Sequence, residues 1–218
     1  MFHIFFMLFA LPAYSFEYSV NKDIKLIDLS SDSNKKLIEL EVEPIKTKPG
    51  DMLVLVQAVK HGKISIPHSF EELVRVKART TIISLSAKFW EKGEPFVYPL
   101  KNKAKSLFAS LLTFRGPVVF VDAIGAINTA RSLRGLAYAP RAEAIAGGAV
   151  VTAFAYGDPH KVNVKGAKTL VSEKDHSMGY AIGLAETKHD IKIAKTKAYS
   201  GRYQKGSGED LAFTVTIY

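Results

Sequence analysis

Val150-Val151-Thr152-Ala153-Phe154-Ala155-Tyr156 sets Val150, Phe154 and Tyr156 on one side of an extended chain and Val151, Ala153 and Ala155 on the other. The same bulky/small alternation returns twice. Met178, Tyr180, Ile182 and Leu184 oppose Gly179, Ala181, Gly183 and Ala185, and Leu211, Phe213, Val215 and Ile217 oppose Ala212, Thr214, Thr216 and Tyr218. Period-two patterning is the signature of β-strands, because successive side chains leave opposite faces. A strand with one bulky and one small or polar face needs a core on one side and either water or a close-packed neighbour on the other.

Working outward, the N-terminal half reads the same way. Lys36–Glu43 puts Ile38, Leu40 and Val42 against Glu39, Glu41 and Glu43, a half-buried antiparallel strand that Pro44 ends. Pro49-Gly50-Asp51 signals a turn, and the nearly continuous run Met52–Val59 reads as a central strand. Arg75–Phe89 alternates, then changes phase around Thr81-Ile82-Ile83, where a bulge is expected. Only the middle carries a helical pattern. Ala104, Leu107, Phe108, Leu111 and Leu112 fall at helical spacing within Leu100–Phe114, with Lys101, Lys103 and Lys105 towards the other face. The Ala- and Gly-rich stretch Ala123–Gly148 reads as a short helix and a loop. The expected fold is one mainly β domain over residues 16–218, an antiparallel β-sandwich or small β-barrel of roughly eight to eleven strands. One amphipathic helix packs against it, within a helical, Ala/Gly-rich insertion around residues 100–148.

Composition narrows the function. The 218 residues are 47% apolar and 23% charged, which excludes a disordered chain. There is no cysteine, and so no disulfide scaffold, thiol nucleophile or Cys-ligated zinc. The net charge of +9 is uneven: residues 1–100 carry 13 basic and 12 acidic side chains, residues 101–218 carry 17 and 9. An anionic partner is therefore expected on the C-terminal half.

The chain opens with an uncharged apolar run, Met1–Ala10, too short for a spanning helix, which needs roughly 20 residues. Pro12 breaks the run, and Ala13-Tyr14-Ser15 fits a small-x-small cleavage site, so a signal peptide cut between Ser15 and Phe16 is expected. No Lys or Arg precedes the run, which departs from the usual pattern. No later stretch reads as a transmembrane helix, since Leu107–Ile127 is broken by Arg115-Gly116-Pro117 and Asp122.

Chemical motifs are sparse. Phosphate-binding loops and the G-x-S-x-G elbow are absent. Ser33-Asn34-Lys35-Lys36 matches S-x-x-K only in a polar turn. No catalytic set and no cofactor motif emerges, so an enzyme reading has nothing to stand on. His61 and His68, with Glu71 and Glu72 behind them, are the candidate ligands for a divalent metal, although their spacing matches no standard site. His160, His176 and His189 each neighbour an aspartate, a pairing that turns produce for backbone reasons.

The richest segment is His189–Lys205, in which Lys192, Lys195, Lys197, Arg202 and Lys205 interleave with Tyr199 and Tyr203. Cations beside aromatic rings suit an anionic polymer, a lipid head group or a single-stranded nucleic acid, and export favours envelope anions over nucleic acid; the plain alternative is a solvated edge strand guarded by lysines. Two functions compete. One is an exported, periplasmic or secreted, non-enzymatic binding or structural protein of the cell envelope that meets an anionic or amphipathic envelope component. The other is a small outer-membrane β-barrel, suggested by the alternation and a terminal strand ending in Tyr218, whose ring is out of phase with Phe213, Val215 and Ile217.

Overall fold

The computed structural model describes residues 24–33, 37–101, 103–118, 121–128, 136–145, 147–186, 193–195, 200–202 and 210–218. The proposed cleavage site at Ser15 and Phe16 lies outside them. In chain order the strands of the first half are β1 (Lys25–Ser33), β2 (Leu37–Glu41), β3 (Met52–Lys60), β4 (Glu71–Lys77), β5 (Thr81–Phe89), β6 (Val97–Lys101) and β7 (Ser106–Arg115). There follow β8 (Val121–Asn128), β9 (Leu136–Tyr138), β10 (Glu143–Ile145), β11 (Ala149–Tyr156), β12 (Asn163–Lys165) and β13 (Lys168–Lys174). The last four are β14 (Gly179–Glu186), β15 (Ile193–Lys195), β16 (Ser200–Arg202) and β17 (Asp210–Ile217). Ten of these seventeen build two five-stranded antiparallel sheets, β1-β7-β3-β5-β4 and β13-β14-β11-β17-β8; the rest form small sheets β2-β6, β10-β15 and β12-β16-β9.

The two large sheets share one core. Val54, Val56, Ile83, Leu85, Phe108, Leu112 and Phe114 of the first pack with Val151, Tyr180, Ile182, Leu211, Phe213 and Val215 of the second. The Phe108 and Tyr180 rings stack at 5.6 Å, and the buried Tyr180 hydroxyl donates to Ser110 Oγ at 3.2 Å. Each sheet is also covered on its other face. Leu53, Leu55, Val59, Leu107, Ala109 and Leu111 meet Ile38 and Leu40 of β2 and Tyr98 and Leu100 of β6. Val150, Phe154, Tyr156, Ala181 and Ala212 meet Ala137 of β9 and Val164 of β12.

The two halves repeat one topology. Counted along the chain, the five main-sheet strands of the first half are β1, β3, β4, β5 and β7, and those of the second are β8, β11, β13, β14 and β17. Both sets lie in the order first, fifth, second, fourth, third. The covering pairs β2-β6 and β9-β16 also occupy equivalent places in the two halves. No identity-level repeat announces this in the sequence.

Register explains the bulky/small alternation of β11, β14 and β17. On β11 the small residues face the shared core and the bulky ones face outward, the reverse of its neighbours β14 and β17. Ala153 therefore sits between Ile182 and Phe213, and Phe154 between Ala181 and Ala212. Large meets small at these two positions, one on each face. The small faces take a close-packed neighbour rather than water.

Three expectations are corrected. The helix expected over Leu100–Phe114 is the end of β6 and the strand β7, and among the described residues no helix occurs. Strand β7 is buried on both faces, so its apolar residues need no alternation, and such a run imitates a helix. Helix propensities differ by only tenths of a kcal/mol per residue, whereas burying each of Leu107, Phe108, Leu111, Leu112 and Phe114 contributes about 1.5–3 kcal/mol. Burial decides. The described part of Ala123–Gly148 forms β8, β9 and β10 instead of a helix and loop. The phase change at Thr81 is the β4–β5 turn, closed by the Ala78 N–H to Thr81 carbonyl bond, and the bulge lies at Glu72/Val74 instead.

Gly183 of β14 tests the outer packing. A methyl group there would meet Val164 Cγ1 at 2.7 Å and Thr152 Oγ1 at 2.9 Å. Gly183→Ala is expected to cost about 1–3 kcal/mol in urea unfolding. The penalty should shrink in a Val164→Ala background, whereas strictly additive penalties would mean that β12 does not seat on this sheet.

Candidate functional site

Strands β3 and β11 finish at the same end of the molecule, and a polar junction ties them there. The Lys60 ammonium donates to the carbonyls of Gly157 and, at 2.7 Å, Ser177. Ser106, the first residue of β7, shares a hydroxyl–hydroxyl hydrogen bond with Ser177 in the turn before β14. The Asp175 carboxylate closes that turn by accepting from the N–H groups of Ser177 (2.7 Å) and Met178 (2.9 Å).

Burial lowers the Lys60 pKa; Asp158 and Asp175 oppose that shift and Lys105 adds to it. For Asp175, burial alone would raise the pKa, but hydrogen bonds from Ser106, Ser177 and Met178 and the nearby His176 overcome it, and the net shift is downward.

At this end the connection from β6 to β7 runs beside the loop after β3. The Lys105 N–H bonds to the Lys60 carbonyl at 2.9 Å, and Gly62 packs so closely on Ala104 that a Cβ there would stand 2.6 Å from the Ala104 Cβ. Buried Gln57 donates from Nε2 to the Ser65 carbonyl at 3.0 Å, which fixes the far side of the loop. Between these segments lies an open groove of about 500 Å³ lined by Gly62, Lys63, Ile64, Ser65, Lys101 and Lys103. Leu100 is buried and Ala104 half-buried, while Lys101, Lys103 and Lys105 are exposed. Lys101 ends β6, and Lys103 and Lys105 follow on the connection to β7.

The other conspicuous lysine is unlike them. Lys88 is buried on β5, paired with Glu94, hydrogen-bonded to Ser69 Oγ at 2.8 Å, and set over the Phe70 and Tyr98 rings at 5.4 and 5.7 Å. Burial and the Glu94 carboxylate push the Tyr98 hydroxyl's pKa up. This cation is neutralised from within the fold.

The residues singled out from sequence separate. His61 is exposed directly after β3 with a left-handed backbone (φ 50°), and His68 is exposed just before Ser69 (φ 74°) on the loop leading to β4. Glu72 accepts from Arg75 Nε at 2.6 Å. No group of three or more His, Asp or Glu that could hold a metal ion occurs among the described residues. Of the basic run, Lys195 lies on β15 in register with Glu143, and Arg202 lies on β16 in register with Asn163 and Leu136, so the two belong to different small sheets. Lys192, Lys197, Tyr199, Tyr203 and Lys205 lie outside the described residues, as do His189 and Asp190.

The sequence pattern assigns Lys101, Lys103 and Lys105 to the wet side of a helix, so the groove is not legible in it. Their i, i+2, i+4 spacing was the available signal. The Lys60–Asp175 junction carried none, since its members are scattered along the chain.

The junction is testable through Asp175. Asp175→Ala is expected to cost about 2 kcal/mol at pH 7, the usual value of hydrogen bonds to a charged group. A depressed carboxyl pKa contributes stability that is present above the unfolded-state pKa and lost as pH falls through the folded one. The gap between wild type and variant in urea unfolding should therefore close below about pH 4; an equal gap at pH 7 and pH 3 would contradict the charged-acceptor role.

Comparison with known proteins gives no match: no family model, no curated protein and no solved structure resembles this chain significantly.

Proposed function

We propose that the chain is an exported, non-enzymatic binding protein of the cell envelope that meets an anionic or amphipathic component through its basic C-terminal half. The observation that carries this reading is the exposed lysine row at 101, 103 and 105, at the start of the half in which basic side chains outnumber acidic ones by 17 to 9. Exposed cations in an open groove retain their field for a partner, whereas Lys88 does not. Lys192, Lys195, Lys197, Arg202 and Lys205, with Tyr199 and Tyr203, belong to this reading as a second contact set. The N-terminal apolar run, with cleavage between Ser15 and Phe16, supplies the route out of the cell.

The finer fold goes with it. We read the two large sheets as a face-to-face sandwich, supported by sheet orders with two distinct ends and by a core drawn from one face of each. The outer-membrane barrel is less favoured. Strand β17, which motivated it, is buried at every position from Asp210 to Ile217, and a membrane barrel needs an apolar face turned to lipid.

Fractionation of the full-length chain in a Gram-negative host, with intact mass, tests the reading. A soluble periplasmic protein beginning at Phe16 is the expected result. An unprocessed cytosolic chain overturns export, and a heat-modifiable outer-membrane species overturns the sandwich. Neutralising Lys192, Lys195 and Lys197 together should weaken binding to anionic vesicles severalfold, and unchanged binding would remove the second contact set.

A further inference from the structure

We propose that the loops 43–50 and 90–97 dock on the surface of an anionic phospholipid bilayer, with Ile45 and Phe96 entering its head-group boundary. This contact lies in the first half of the chain, apart from the basic C-terminal half, and neither rests on the other. Seven large apolar side chains are exposed among the described residues. Four of them, Ile45, Phe89, Phe96 and Val97, fall on these loops and the strand ends beside them. Exposed apolar residues scattered singly are ordinary, but a cluster marks a contact surface. The loops are neighbours: the Val42 N–H donates to the Phe96 carbonyl at 2.7 Å, and the Gly50 N–H to the Trp90 carbonyl at 2.9 Å.

The surface is built before anything docks, which reduces the ordering that binding must cost. The Asp51 carboxylate accepts from Arg115 Nε at 2.9 Å, from Arg115 Nη2 at 2.7 Å and from the Lys48 N–H at 2.7 Å, and Arg115 also donates to the Lys46 carbonyl. The turn that carries Ile45 is closed by N–H bonds from Lys46 and Thr47 to the Glu43 carbonyl. On the neighbouring loop the Phe96 ring lies against Trp90, with centroids 5.4 Å apart. Held in this way, Ile45 still leaves 90% of its surface in water.

Three observations select a lipid surface as the occupant. A side chain nine-tenths exposed projects from the fold and lines no groove, and a bilayer accepts it without matching relief. Cations stand beside it: Lys48 and Lys92 are exposed, and Lys46 is 56% exposed although 3.7 Å from Asp28. Of the nearby acids, Asp51 is held by Arg115 and Glu94 by Lys88, which leaves exposed Glu91 and half-buried Glu43. Lysines behind an apolar tip reach anionic head groups while their stems stay on the apolar side. Lastly, Thr47 Oγ1 and Trp90 Nε1, on these same loops, are buried without a hydrogen-bond partner. An indole N–H only donates, and the ester and phosphate oxygens of a bilayer interface accept, so docking that parts the tips satisfies both groups.

Trp90 is the single tryptophan of the chain, so its emission reports on this surface. The test titrates the full chain with vesicles of equal parts phosphatidylglycerol and phosphatidylcholine, with and without brominated acyl chains. Wild type, Ile45→Ser, Lys46→Gln/Lys48→Gln and Lys192→Gln/Lys195→Gln/Lys197→Gln are compared, each with its thermal unfolding midpoint as a folding control. Bromine is expected to quench Trp90 in bound wild type. Ile45→Ser should lose about tenfold in affinity, the order expected from withdrawing one isoleucine from lipid. The Lys46/Lys48 pair should lose severalfold at low salt and less at high salt. Quenching lost in Ile45→Ser, with binding by the Lys192/Lys195/Lys197 variant unchanged, sustains this surface and removes the C-terminal contact set. Equal affinity of wild type and Ile45→Ser, or bound protein with unquenched Trp90, overturns the proposal; if the Lys192/Lys195/Lys197 variant alone loses binding, the C-terminal reading stands without it. Failure of wild type to bind these vesicles overturns it as well. A dimer in sedimentation equilibrium that Ile45→Ser dissociates overturns the lipid assignment in favour of a second copy of the chain.

Discussion

Everything in this fold follows from burying both faces of the same strands. Strands β3, β7, β11 and β17 have water on neither side: residues of both large sheets meet in one shared core, and smaller strands cover the second face of each. That arrangement permits large residues on one strand only where the neighbour is small. Ala153 between Ile182 and Phe213, and Phe154 between Ala181 and Ala212, are the clearest cases. A one-residue slip would bring large against large on one face and open a void on the other, so the register is strongly specified.

With their faces closed, the central strands offer a partner only their ends and the surfaces of their covers. The end at which β3 and β11 finish is tied by polar contacts. Lys60 spans the two sheets there, and Asp175 and Ser106 fix the turn that receives it. The groove beside them inherits that rigidity through the Lys105–Lys60 backbone bond. The same end thus holds one lysine satisfied by carbonyls and several lysines turned to solvent, and only the latter carry a field outward.

How much was legible in the sequence depended on how many faces each strand buries. Strand β2, buried on one face, alternates cleanly and was read with its buried set of Ile38, Leu40 and Val42. Met52–Val59 was placed correctly as a central strand because its β-forming residues sit between turn signals. Strand β7 was not, since Ser106–Arg115 is buried throughout and keeps no polar face to mark the period. The repeated topology was invisible because the halves share strand order and not residue identity. The groove lysines were legible as exposed, yet their period of two was assigned to a helix. The Lys60 junction joins residues far apart in the chain, which no local pattern reports.

The state of Ser106–Arg115 decides between a layered β-structure with both sheet faces covered and a sheet with a helix laid against it. Backbone chemical shifts and amide hydrogen exchange across these residues test it most directly. The account predicts extended shifts throughout, with amides of β7 exchanging as slowly as those of β3 and β11, through global unfolding alone. Helical shifts over Leu107–Phe114, or exchange much faster than in β3, would contradict it.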